Sequence, residues 1–318
     1  QKKESKLNKQ EDVKNTLKKQ KFSLFSKTYS VQDIFDVVGE FLDPFRENKE
    51  KMIKIDTKWI KMWYNCIKGI IMKLFLASEG FISIKENGVT IKREIDTSNL
   101  FFDNLKKFIK KYDNFVFIPN NFDFADINEI SAQGIADAFV EKLSKFKSIV
   151  VLDKQNIKQA KSILENADFI FLQGGKPEEQ YKFLKKIKFA KIVPATNAVV
   201  VGKSAGAMNM CKICYNYPEE GDVLPCTKKW TKGLGFVDKI IIPHFNTENG
   251  NQYCSSDINL LTDVFIPDSY GKEFFALKNG SYILVEDRKE ILYGECYLIK
   301  NGIVEKICEN NQSKVLKN

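Results

Sequence analysis

The sequence predicts an α/β protein built on a mostly parallel, doubly wound sheet, with β-hairpins at its C-terminal end and a helical extension at its N-terminal end. Three observations carry this expectation. Short unbroken apolar runs alternate with amphipathic stretches from Met72 to about residue 202. Strands covered on both faces read as such runs, and parallel pairing requires a helical crossover between them. Asn-Gly pairs at 279–280 and 301–302 then punctuate a strand-rich end with tight-turn signals.

Taken in order, residues 1–30 hold nine Lys against three acids and read as a charged, solvated tail. Val31, Ile34, Phe35, Val38, Phe41 and Leu42 recur at helical spacing until Pro44 ends the pattern. A second helix is expected from Asp56 or Thr57, carrying Trp59, Ile60, Trp63, Ile67 and Ile70. The character changes at Met72, so the expected organisation is an extension over 1–71 and an α/β domain over 72–318. In the domain, KLFLA at 73–77 reads as the first strand. Strands are expected at 114–119, 147–152, 167–172 and 198–202. Helices are expected at 98–111, 126–145, 156–165 and 176–188. From about residue 273 the pattern reads as hairpins, FFALKNGSYILV and then ILYGECYLIKNGIVEKI.

Composition excludes several classes. The net charge of +9 lies largely in the first thirty residues, and residues 72–318 carry 34 basic against 31 acidic groups. With no basic stripe interleaved with aromatics in the body, nucleic-acid binding is not expected. The most apolar stretch, 59–77, is interrupted by Lys61, Lys68 and Lys73, which argues against a bilayer span. The lysine-rich N-terminus lacks the apolar run of a secretory signal. Seven cysteines, an odd count without framework spacing, fit a reduced, cytoplasmic setting.

The sharpest chemical signal is Val199-Val200-Val201-Gly202-Lys203-Ser204-Ala205-Gly206-Ala207. A β-branched run enters Gly-x-Ser-x-Gly and a small-residue helix leaves it, the arrangement of a nucleophile elbow. The Ala205 N–H is then placed to donate to an oxyanion. A P-loop would need Gly five positions before Gly202, where Asn197 stands. The bland alternative is a serine that merely caps a helix. His244, the only histidine, ends the apolar run IIIPH and is the candidate base, provided its strand joins the sheet. Gln173-Gly174-Gly175 follows ADFIFL directly and would let backbone N–H groups approach a substrate. Cys211-x2-Cys214, with Cys226 as a third candidate ligand, lacks a second pair and reads as packing rather than metal binding.

In this order the motifs resemble the peptidase E family, serine peptidases on a class I glutamine amidotransferase-like fold. The matching stretches are KLFLASEG at 73, ADFIFLQGG at 167, VVVGKSAGAMNM at 199, GLGF at 233, IIPHF at 241 and FALKNGSYILV at 275. The resemblance implies Ser204 as nucleophile, His244 as base, and Gly175 with Ala205 as oxyanion hole. It places the third member in one of two regions. One holds Glu219, the favoured residue here. The other puts Asn279, uncharged, where the family would have an acid, as an alternative that orients the histidine. The resemblance also implies a small peptide substrate, often one beginning with aspartate, and Lys176 and Lys203 flank the site as candidate carboxylate partners. Neither cofactor nor metal is expected. Partner expectations are a small peptide and a second copy of this chain, without nucleic acid or membrane. A catalytically silent binding domain is the alternative, favoured if Asn279 replaces an essential acid.

Overall fold

Strands form where the sequence places its unbroken apolar runs. The structure, a computed structural model, describes residues 21–24, 27–30, 72–87, 89–218, 228–247, 258–286 and 289–316. The chain divides into two units, Gln1–Tyr64 and Asn65–Asn318. In the first, β1 (Lys21–Leu24) and β2 (Lys27–Ser30) pair antiparallel. This hairpin stands where a solvated tail was expected; KFSL and KTYS carry enough β-forming residues to pair. The helices expected at 31–42 and from residue 56 lie outside the described residues.

In the second unit the strands are β3 (Lys73–Ala77), β4 (Phe81–Glu86), β5 (Val89–Ile95), β6 (Asn114–Ile118), β7 (Ser148–Val151), β8 (Phe169–Leu172) and β9 (Val199–Lys203). They continue with β10 (Ile213–Tyr215), β11 (Trp230–Lys232), β12 (Ile240–Ile242), β13 (Glu273–Leu277) and β14 (Tyr282–Glu286). The last are β15 (Lys289–Tyr293), β16 (Cys296–Lys300), β17 (Ile303–Cys308) and β18 (Ser313–Val315). An eight-stranded sheet has the order β18-β15-β14-β3-β9-β8-β6-β7. From β3 to β7 every neighbour pair is parallel, and β14, β15 and β18 extend it antiparallel.

Alternate residues of the central strands enter two cores. Leu74, Leu76, Val116, Ile118, Ile170, Leu172 and Val200 face one, with Leu164, Phe183, Leu184, Ala207 and Met210 packed against them. Phe75, Phe115, Phe117, Phe169, Phe171, Val199 and Val201 face the other, with Phe101, Leu105, Ile135 and Phe139. Both faces being buried is why these strands show no polar alternation. The covering helices are α1 (Phe101–Phe108), α2 (Ala125–Lys142), α3 (Ala160–Glu165), α4 (Pro177–Lys186) and α5 (Ala205–Met210). The helix expected from residue 98 starts later because Asn99 and Leu100 take positive φ, 51° and 61°.

Two expectations are corrected. FFALKNGSYILV is not a hairpin. β13 pairs with β12 and β16 in a four-stranded sheet of order β12-β13-β16-β17, whereas β14 pairs with β3 and β15. The Asn279-Gly280 turn, closed by Ser281 N–H to Lys278 O at 3.0 Å, therefore hands the chain from one sheet to the other. Its positive φ is confined to Gly280, the type II pattern rather than the two-residue hairpin type. By contrast Asn301 and Gly302 both take positive φ and close the β16–β17 hairpin as expected. The second correction concerns β12, which precedes His244. It belongs to the four-stranded sheet and does not join the eight-stranded one.

Candidate active site

Ser204 occupies the turn between β9 and α5, with φ 50° and ψ −113°. That conformation is sparsely populated by residues with a Cβ and costs on the order of 1–3 kcal/mol. It persists because both flanks are fixed. The Ser204 N–H donates to Ala77 O at the end of β3 at 2.9 Å, and the Ser204 carbonyl accepts from the Met208 N–H at 3.0 Å. The glycines on either side let strand and helix meet. A Cβ on Gly206 would lie 2.3 Å from Leu172 O, and one on Gly202 would lie 2.6 Å from the Gly206 carbonyl. Gly206→Ala is accordingly expected to destabilise the fold by at least about 2 kcal/mol in urea unfolding. The helix-propensity gain of Ala over Gly, about 1 kcal/mol, is too small to offset a clash with fixed backbone.

The Gly174-Gly175 loop leaves β8, the neighbour of β9, and folds against the serine. A Cβ on Gly174 would lie 3.1 Å from the Ser204 Cβ. Gly175 takes φ 129°, and the space a side chain would need there is filled by Asn120. Neither the Gly175 nor the Ala205 N–H has a hydrogen-bond acceptor among the described residues. The Ala205 N–H is an N-terminal helix donor with no intrahelical acceptor.

His244 follows β12 with φ 56°. Its Nδ1 lies 2.7 Å from Asn279 Oδ1. An amide oxygen only accepts, so a neutral ring bonded in this way holds its proton on Nδ1 and leaves Nε2 as the basic nitrogen, the tautomer a base requires. The His244 N–H donates to Ser78 Oγ at 2.7 Å, and the Phe245 N–H to Leu277 O at 2.9 Å. His244 thus reaches the site although β12 lies in the second sheet, because β12 runs parallel to β13, whose exit turn carries Asn279. Tyr217 donates its hydroxyl to Pro243 O at 3.2 Å beside it.

Ser204, His244, Asn279, Gly174 and Gly175 all line one cavity of about 610 Å³. Glu219 lies outside the described residues. Lys203 also lines the cavity but is ion-paired with Glu79, and Lys176 is exposed and does not line it. Arg93 on β5 does. Its side chain passes α2 at Gly134, where an added Cβ would sit 3.4 Å from it, and its guanidinium donates to Ser83 Oγ at 3.0 Å. Burial pushes the Arg93 pKa down, partly offset by Glu79. An arginine starting so high stays cationic regardless. Arg93 lies outside every motif of the sequence, and Ser78 and Glu79 lie in the matching stretch KLFLASEG without being singled out as site residues. Besides that stretch, their position directly after a buried strand at the carboxyl edge of the sheet is the signal that points to the site.

Cys211 and Cys214 are buried thiols, and burial pushes Cys214 up to about 12. Cys226 lies outside the described residues. Among the described residues no group of His, Cys, Asp and Glu is arranged to hold a metal, and no helix is long and apolar enough to cross a membrane.

The sequence model of peptidase family S51 matches residues 92–292, a span that includes Ser204, His244 and Asn279. The chain belongs to peptidase family S51. It is a serine-type peptidase, as the family is. Among solved structures, a peptidase from an acI-B1 Actinobacterium superposes with a TM-score of 0.54 at 16% identity, over 77% of this chain and 97% of that one. A peptidase E-type protein from Listeria monocytogenes EGD-e gives 0.46 at 18% identity, over 70% and 98%. At such identities the likeness of the S51 chain to the first speaks for the fold. No curated protein matches the chain significantly.

Proposed function

We propose that the chain hydrolyses small peptides through an acyl-enzyme formed on Ser204, with His244 as general base and Asn279 orienting it. The observation that carries this is the shared cavity. It brings a serine in a strained strand-to-helix turn together with a histidine whose Nδ1 is 2.7 Å from an amide oxygen. Ser204 Oγ attacks the peptide carbonyl as His244 Nε2 takes its proton. The N–H groups of Gly175 and Ala205 receive the developing oxyanion. The imidazolium then protonates the leaving amine, and water, activated by the same histidine, releases the acid and frees the serine.

Arg93 supports a substrate that begins with aspartate. A guanidinium has five donors in a planar fork matched to a carboxylate, and Ser83 is the hydrogen-bond partner that occupies it in the described structure. Lys203 is less suited, because Glu79 already pairs with it. Hydrolysis of a dipeptide panel holding Asp-X, Asn-X, Ala-X and isoaspartyl members tests this reading. Asp-X is expected to be preferred. Arg93→Met is expected to lower kcat/KM for Asp-X by about 10–100-fold, the loss of a charge-assisted pair, and to leave Ala-X within about threefold. Equal loss on all members would reject Arg93 as the anchor. Turnover of none would reject the substrate class.

A further inference from the structure

Ser78 follows β3 directly and is fully buried, 0% exposed. Its hydroxyl sits where three parts of the site meet. Oγ accepts from the His244 N–H at 2.7 Å. It lies 3.3 Å from Leu277 O and 3.3 Å from Asn279 Oδ1, either of which can take its single proton. Its own N–H donates to Ser281 O at 3.0 Å, on the far side of the Asn279-Gly280 turn. The residue before it, Ala77, accepts the Ser204 N–H. One short side chain and its flanking peptides thus tie the nucleophile's turn, the base and the base's partner to a single strand end.

Two features of the site need such a tie. His244 holds a left-handed φ of 56°, a conformation that a residue with a side chain keeps only when its surroundings over-determine it. Asn279, unlike a carboxylate, has two different ends. Its oxygen toward the ring sets Nδ1–H, whereas its NH2 would draw the proton to Nε2 and leave no base for the serine. Asn279 is itself exposed, so burial does not hold it. The Ser78 hydroxyl reaches both the His244 backbone and the Asn279 oxygen from the buried side.

We propose that Ser78 is a positioning residue for the peptidase reaction: its buried hydroxyl fixes the His244 backbone and the Asn279 amide against the end of β3, keeping the imidazole in the Nδ1–H tautomer. The proposal rests on His244 being the general base. Because His244 is the only histidine in the chain, 15N-histidine labelling reports this one ring. Long-range 1H–15N spectra of the full chain are compared for wild type, Ser78→Ala and the near-isosteric Ser78→Cys, with folding checked by thermal melting. Wild type is expected to show Nδ1–H. Ser78→Ala and Ser78→Cys are expected to show a mixture of tautomers. Their kcat is expected to fall by about 10–100-fold, as for a misplaced catalytic group, with KM within about threefold. Ser78→Thr, which restores the hydroxyl, is expected to recover most of kcat. A folded Ser78→Cys with the wild-type spectrum and wild-type kcat overturns the proposal while leaving the peptidase reading intact. A wild-type Ser204 inert to a fluorophosphonate overturns the reading of His244 as base, and the proposal with it, without any change at Ser78.

Discussion

Ser204→Ala is expected to lower kcat on any peptide the chain cleaves by at least about 10⁴-fold, since in the proposed mechanism the Ser204 hydroxyl forms the acyl intermediate. What remains would come from the oxyanion donors and substrate binding, which do not need the hydroxyl. The fold should be unaffected, because Ala keeps the Cβ and the strained backbone of the wild type. Ser204→Gly separates the two roles of the position. It loses activity to the same extent but removes the Cβ from a conformation that disfavours it. Its melting temperature should rise, with a gain of about 1 kcal/mol in unfolding free energy. Equal melting temperatures for the Ala and Gly variants would mean that the turn stores no strain.

Replacing Asn279 tests how much the site owes to the uncharged partner of His244 Nδ1. Asn279→Leu removes the acceptor at Nδ1 while keeping similar bulk, so the imidazole loses its tautomer and its orientation together. A fall in kcat of about 10–100-fold is expected. This is less than the loss at a buried aspartate of a classical triad, because Asn279 is exposed and carries no charge to stabilise imidazolium. Asn279→Asp has the opposite sign. A carboxylate there stabilises imidazolium in the transition state, and solvent screening limits the gain to several-fold. The same charge favours the protonated ring of the free enzyme, so the acidic limb of kcat/KM moves to higher pH. Activity therefore rises on the plateau above this limb and falls earlier as pH is lowered. Profiles measured for both variants check each part. An Asn279→Leu enzyme with wild-type kcat would show that His244 is oriented by other groups.

Much of the fold was legible because its physics is local. Val199–Lys203, Phe169–Leu172 and Asn114–Ile118 are short, β-branched or aromatic runs buried on both faces, the pattern of strands in a sheet covered on both sides. The Gly-Lys-Ser-Ala-Gly turn was legible for the same reason, since small residues are needed wherever Gly202 and Gly206 bring strand and helix backbones together. Pairings between distant segments were not. Asn279-Gly280 has the composition of a hairpin turn, but whether Tyr282–Glu286 pairs with the strand before it or with Lys73–Ala77 depends on which apolar faces need covering. His244 stands at a strand end, as the run IIIPH implies, but that strand lies in the second sheet. Arg93 stood in no motif, and Ser78 lay within the matching stretch KLFLASEG with nothing in it to tell its role. A lone arginine on a hairpin and a serine after a strand are ordinary until the fold brings them to the same cavity or the same hydrogen bond.

Every step of the proposed reaction depends on the activation of Ser204 by His244. The most direct test is the rate at which a fluorophosphonate labels Ser204, followed across pH in the wild type and in His244→Gln. Labelling confined to Ser204, rising with pH as a single group deprotonates and slowed about 10³-fold in His244→Gln, is the result expected of a base-activated serine. Labelling that His244→Gln leaves unchanged, or a wild-type serine that does not react, would contradict it.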